Sequence, residues 1–324
     1  MESKNNENTA PQTDLSELSD CALCPRECHA NRFTGPLGWC RSDASFSISS
    51  ICIHRGEEPV ISGNDGICNI FFTNCNLQCV YCQNWQISDN RLDHRSDRME
   101  FDAVIRQVTN ILDTGIKRVG FVSPSHFIPQ VLAIVSAIGS AGYDPVWVYN
   151  SNGYDKAETL KRLEGIIGVY LPDLKYMDSG IAKEWSQAED YPQVAMAAVR
   201  EMFRQKGSAL HLDGDGTARS GIVIRHLVLP GEPENSRNVM RFIANELSPR
   251  LHVSLMSQYF PTPAVSCHPG LSRTVTRAEY RAVTEEMERL GLHNGWIQEF
   301  ESQEHYRPDF RKEHPFENTE SSGF

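Results

Sequence analysis

From residue 69 onward, short apolar runs of strand length alternate with amphipathic helical patterns, and few folds accommodate that alternation. The strand-like runs are Ile70–Thr73, Arg118–Ser123, Pro145–Tyr149, Gly168–Leu171, Ile222–Leu229 and His252–Ser257, with a weaker one at Trp296–Phe300. Between them, Phe101–Leu112 places Phe101, Val104, Ile105, Val108 and Ile111 on one face at helical spacing. Pro192–Lys206 does the same with Val194, Ala198, Val199, Met202 and Phe203, and Ser236–Leu247 and Arg277–Leu290 complete the set. Strands separated by helices are joined by crossovers and lie parallel. The expected fold class is therefore α/β, an incomplete TIM-type barrel of parallel strands. The chain has no Gly-x-Gly-x-x-Gly, which argues against a dinucleotide-binding dehydrogenase.

In barrels of this kind the site is built where the strands end. Here the strand ends carry Ser123-Pro124-Ser125-His126, Asn150-Ser151-Asn152-Gly153, Asp173-Leu174-Lys175 and Ser257-Gln258-Tyr259. Each alone is an ordinary turn or helix cap. The charges are more specific. Asp173 and Lys175, two apart, share a face if the strand continues. Arg225 sits inside an apolar run, and a buried cation needs an anionic partner.

The first of these strands ends in a different chemistry. Asn69–Ser88 reads NIFFTNCNLQCVYCQNWQIS, so Ile70-Phe71-Phe72 runs directly into Cys75, Cys79 and Cys82 at Cys-x3-Cys-x2-Cys spacing, with Tyr81 before the last. Three thiols in one loop admit packing as small apolar groups, zinc with a fourth ligand from elsewhere, or one iron–sulfur cluster. Clusters usually take four thiolates, so three leave one iron open to an outside ligand.

A second group, Cys21-x2-Cys24-x3-Cys28 with Cys40, is interrupted by Pro25, Gly35, Pro36 and Gly38, which predicts a loop-built extension ahead of the barrel. Four thiolates form a closed set, so this is a candidate structural metal site holding zinc or a second iron–sulfur cluster, with unmetallated thiols as the remaining reading. Phe46–His54 alternates as a short strand; His54 with Glu57 and Glu58 reads as a packed or solvated edge. Ten cysteines without a signal-peptide pattern at the N-terminus point to metal or redox chemistry in a cytoplasmic protein. A net charge of −11 argues against nucleic acid as a partner. No apolar run approaches the roughly 20 residues needed to span a bilayer. The expected division is a disordered tail over 1–18, a Cys-rich extension over 19–66, the barrel over 67–300, and a partly disordered C-terminal extension over 301–324.

The triplet resembles that of the radical S-adenosylmethionine (SAM) superfamily. The pieces Cys21–Cys40 with Asn31-Arg32, His54 with Glu57-Glu58-Pro59, Cys75–Asn84, Leu171–Tyr176, Arg225–Gly231, Ser257-Gln258-Tyr259 and Tyr306-x-Pro308-Asp309-Phe310 are similar to the pyruvate formate-lyase activating enzyme-like branch. That resemblance implies a four-iron four-sulfur cluster on Cys75, Cys79 and Cys82, with SAM chelating the open iron. It also implies reductive SAM cleavage and hydrogen abstraction by a 5′-deoxyadenosyl radical. Asp173, Lys175 and Arg225 fall at the SAM site, the SAM carboxylate being a fitting partner for Arg225. Ser123 and Ser125 stand where many members carry Gly-Gly-Glu for the SAM amino group. Asn150 replaces the activase aspartate and so removes the acid that holds a monovalent cation there. No side chain is assigned as a conventional acid or base. The implied partners are flavodoxin or ferredoxin as electron donor and a glycyl radical enzyme as substrate. The other readings are action on a small molecule or peptide, and a non-catalytic iron–sulfur or zinc-binding protein.

Overall fold

The computed structural model of the chain describes residues 14–300, 308–312 and 315–316. The strands are β1 (Phe46–His54), β2 (Ile67–Phe72), β3 (Arg98–Met99), β4 (Arg118–Val122), β5 (Val146–Ser151), β6 (Val169–Pro172), β7 (His211–Leu212), β8 (Ala218–Leu227), β9 (His252–Met256) and β10 (Gly295–Ile297). They form one sheet in the order β10-β9-β8-β6-β5-β4-β2-β1-β3, with β7 on β8. From β2 to β10 along that path every pairing is parallel, while β1 and β3 add antiparallel strands at one edge. The sheet does not close on itself, so this is a partial TIM-type barrel, as the alternation predicted.

The two faces of the strands separate cleanly. Trp147, Tyr149, Tyr170, Ile222 and Ile224 pack outward in the main core against the helices Phe101–Leu112, Ile128–Ser140 and Tyr191–Lys206. Their neighbours Val148, Val169, Leu171 and Val223 turn inward and form a second cluster with Ile61 and Ile67. Side chains alternate along a strand, so both faces are covered. This is why the strands read as unbroken apolar runs. Ile61 belongs to the single helical turn Pro59–Ser62, which fills the barrel interior below the site.

Several expectations shift. β2 begins at Ile67, ahead of the expected Ile70, and β8 begins at Ala218, where β7 pairs with it and draws polar residues into the ladder. The helix expected over Ser236–Leu247 runs over Pro233–Phe242 and ends in a π turn at Ile243–Leu247. The helix Ile128–Ser140 was not expected: it is apolar on most of its surface, so it lacks a clear 3.6-residue period. β1 lies in the span assigned to the extension yet is hydrogen-bonded along β2. Ser16–Asp20, which begins inside the span expected to be a tail, forms a 3-10 turn with Leu18 fully buried. Residues 1–13 and Tyr306 lie outside the described residues. Among those described, no helix is long and apolar enough to cross a membrane.

Candidate active site and metal centre

A cavity of about 230 Å³ opens where the parallel strands end. Its wall takes Phe71 and the three thiols after β2, Val122 and Ser123 from β4, Asn150–Asn152 from β5, Asp173 and Lys175 from β6, Arg225 and Leu227 from β8, and Met256 and Gln258 from β9. The loop that carries the thiols is held from several sides. Asn90 clasps Cys75, accepting from its amide at 3.0 Å and donating to its carbonyl at 2.9 Å. Asn76 Nδ2 donates to the Tyr154 carbonyl at 2.7 Å, and Tyr81 and Tyr176 join their hydroxyls at 2.5 Å beneath the loop.

Each thiol also has its own polar neighbour. Asn152 Nδ2 and the Leu77 amide donate to Cys75 Sγ at 3.2 and 3.4 Å. Ser186 Oγ donates to Cys79 Sγ at 2.9 Å, and Ser88 Oγ lies 3.1 Å from Cys82 Sγ. Burial pushes the free thiols up, Cys75 to about 12 and Cys79 to about 11, and also raises Cys82. Neutral thiols suit a buried site, and a bound metal deprotonates them. Among the described residues, no three His, Cys, Asp or Glu side chains are drawn tightly enough around a point to hold a single metal ion. Three thiols on one cavity supply the soft donors that an iron–sulfur cluster takes.

Across the cavity, Lys175 Nζ is 2.5 Å from Asp173 Oδ2. Burial opposes its charge, but Asp173 and the surrounding polar groups hold Lys175 protonated well above the usual range. Arg225 finds its anions within the chain: Nη2 lies 2.5 Å from Glu57 Oε2 and Nε 2.9 Å from Glu58 Oε1. Burial pushes Glu57 up, yet Arg225, His54 and an Asn69 hydrogen bond overcome it and leave its pKa lowered. His54 and Glu57, expected as a packed or solvated edge, both lie on the cavity wall with Arg225. Residues 168 positions apart gave no local signal of that pairing.

Ser123 and Asn150 line the cavity. Ser125 does not: it is buried beside Tyr149 and Asp155. Its neighbour His126 is fully buried, and desolvation with the Arg32 charge pushes its pKa down to about 3, so it is neutral. Gly153, at the end of the Asn-Ser-Asn-Gly turn, has φ +81°, and a Cβ there would stand 2.1 Å from the Asp173 carbonyl. Backbone cannot yield as a side chain can, so Gly153→Ala is expected to cost roughly 1–3 kcal/mol. Denaturant titration of the full chain checks this, and an unchanged midpoint would show that the turn is not constrained.

In the extension, Cys21, Cys24 and Cys40 are buried and Cys28 is exposed. Beyond the barrel, Pro308 and Phe316 complete the cavity wall. Phe310 and Phe316 pack on Phe71 with centroids 5.2 and 5.5 Å away.

The chain is similar to an uncharacterized protein of Methanocaldococcus jannaschii, 27% identical over 279 residues, covering 85% of this chain and 76% of the relative. Among solved structures it is similar to Streptococcus suis SuiB bound to S-adenosylmethionine (12% identity, TM-score 0.47, 72% of this chain and 50% of that one). It is also similar to the FeFe-hydrogenase maturase HydG from Carboxydothermus hydrogenoformans (15% identity, TM-score 0.46, 69% and 50%). The chain spans about half the length of these solved proteins. Residues 69–243, more than half of the chain and including the cysteine loop and the strand ends up to Arg225, match the radical SAM superfamily; the chain belongs to that superfamily, with the four-iron four-sulfur cluster and the SAM that membership implies.

Proposed function

We propose that this chain reductively cleaves SAM and uses the product radical to abstract hydrogen, with a glycyl radical enzyme as the leading substrate class. The observation that carries the reading is the convergence of Cys75, Cys79 and Cys82 with Asp173 and Lys175 on one cavity. The three thiolates would hold the cluster and leave one iron without a protein ligand. When bound, the cluster supplies the electron that breaks a carbon–sulfur bond of SAM, giving methionine and the 5′-deoxyadenosyl radical.

This chain's own residues bind, orient and exclude. Lys175 and Asp173 offer paired charges to the amino-acid end of SAM. Ser123 and Asn150 supply neutral hydrogen bonds on the same wall. Arg225 is already paired with Glu57 and Glu58, so it stiffens the inner wall and presents only what those carboxylates leave free. Phe71, Val122, Leu227 and Met256 keep the wall between these groups apolar, which excludes stray hydrogen donors and water.

The Asp173-x-Lys175 and Arg225–Gly231 similarities support the activase reading. A second reading, action on a small molecule or peptide, is favoured by Pro308 and Phe316, which close part of the cavity wall. The test is anaerobic incubation of reduced enzyme, SAM and candidate glycyl radical proteins from the same cell. A doublet glycyl-radical signal in electron paramagnetic resonance is the expected result. Release of 5′-deoxyadenosine with turnover of a small metabolite, and no such doublet from any candidate, would move the assignment to the second reading.

A further inference from the structure

We infer that the face of the cysteine loop turned away from the strand ends docks a small acidic one-electron carrier protein, with Trp39, Trp85 and Arg41 as its anchors. A second cavity, of about 630 Å³, meets Cys75, Cys79 and Cys82 on that face. Its wall also takes Trp39, Arg41, Trp85 and Arg91, and it includes no residue of a barrel strand. The three thiols thus lie between two cavities. The inner one carries the strand-end groups assigned above to SAM, so an electron from outside the chain has the outer one as its approach.

The outer cavity adjoins a third, of about 340 Å³, through Arg41, Asn90 and Arg91. Seven large apolar side chains stand exposed among the described residues, and four of them, Leu37, Trp39, Trp85 and Leu92, line these two cavities. Single exposed apolar groups are ordinary, but a cluster of them marks an interaction surface. Tryptophan and arginine are the side chains that most often anchor one.

The charges select the partner. Arg91, Arg95 and Arg98 are each answered by an aspartate, respectively Asp89, Asp93 and Asp43. Arg41 meets no carboxylate among the described residues. Neither does Arg26, whose guanidinium lies 4.0 Å over the Trp39 ring and whose Nη2 makes no hydrogen bond there. An acidic carrier is repelled by a chain of net charge −11 as a whole and drawn to the place where arginines are uncompensated. The surface is also tied to the ligand loop. Arg26 Nε donates to the Asn76 carbonyl at 3.0 Å, and Asn90, which clasps Cys75, donates to the Trp39 carbonyl at 3.0 Å. One electron leaves the reduced carrier and enters the group held by the three thiols. The carrier is oxidised by one electron, that group is reduced by one, and no bond or proton is exchanged.

This docking rests on the reductive chemistry proposed above, and it is tested before SAM is added so that the two can fail separately. The full chain, purified without oxygen, is mixed with reduced flavodoxin or ferredoxin from the same cell. Cluster reduction is followed by absorbance, and the Kd is measured by calorimetry with the oxidised partners. Arg41→Glu and Trp85→Gln are each expected to slow carrier-driven reduction and weaken binding about tenfold. Added salt should slow the wild type, because the attraction is between exposed charges. Reduction by dithionite, which needs no docking, should be unchanged in both variants, and this also shows that they fold and hold the cluster. Leu212→Gln, an exposed apolar change on β7 beside the start of β8, should leave every rate unchanged. Wild-type carrier rates and Kd in both variants would overturn the inference, as would self-association of the wild type through Trp85 that excludes the carrier. Carrier-driven reduction that is lost in the variants, with no deoxyadenosine formed by the wild type once SAM is added, would count against the proposed function and leave the docking in place.

Discussion

Cys79→Ser is expected to reduce SAM cleavage to background while leaving the barrel folded. A serine oxygen is a poor substitute for a soft thiolate at iron. The two remaining ligands in the loop would leave half of a cluster's usual thiolate set. The loss in 5′-deoxyadenosine formation should therefore be complete, whereas the fold changes little. Cys79 is only half-buried, and the loop is tied down through Asn90, Asn76 and Tyr81, none of which the substitution touches. A single buried-to-polar change at such a position costs about 1 kcal/mol. Deoxyadenosine release, iron content and circular dichroism, measured anaerobically, separate the two effects. Undiminished cleavage would remove the triplet from the chemistry.

Arg225→Ala should produce the largest loss of stability. It would leave the buried Glu57 and Glu58 carboxylates without their shared cation, and among the described residues Glu58 Oε2 already makes no hydrogen bond. Removing one partner of a buried ionic group costs about 3–5 kcal/mol. For a chain of this size that is roughly 10 °C in Tm. Replacing the whole set, Arg225→Met with Glu57→Gln and Glu58→Gln, should recover much of the loss, because the penalty lies in the uncompensated charge. Thermal unfolding of both variants tests this, and SAM calorimetry on the same samples adds the functional arm. Weakened SAM binding at unchanged Tm would instead assign Arg225 to the ligand alone.

Much of the fold was legible because its strands are buried on both faces. Arg118–Val122 and Val169–Pro172 have no exposed position, so apart from Arg118, whose guanidinium is hydrogen-bonded to Thr217 and Ser62, they are built from residues that tolerate burial and their limits stood out. Where a strand is exposed or recruited by a partner, composition is silent. Ala218–Ser220 joins β8 only because His211 and Leu212 pair with it. The helix Ile128–Ser140 was missed for the opposite reason: Leu132, Ala133, Val135 and Ala137 are apolar though only half-buried, and they erased the period that marks a surface helix.

The same division runs through the site. The chain order alone determined that three thiols follow the first parallel strand and that polar residues end the next ones, since both are consequences of local spacing. It also determined four cysteines ahead of the barrel. Only the tertiary structure decided which of those polar groups share a cavity. It turned Ser123 and Asn150 into the wall and Ser125 away from it, and brought the Ser186 hydroxyl to Cys79 across 107 residues. It also gave Arg225 the carboxylates of Glu57 and Glu58 as partners. A buried charge demands a counter-charge, which a sequence can state. Which one supplies it depends on how the barrel closes the distance between segments, and no local pattern records that.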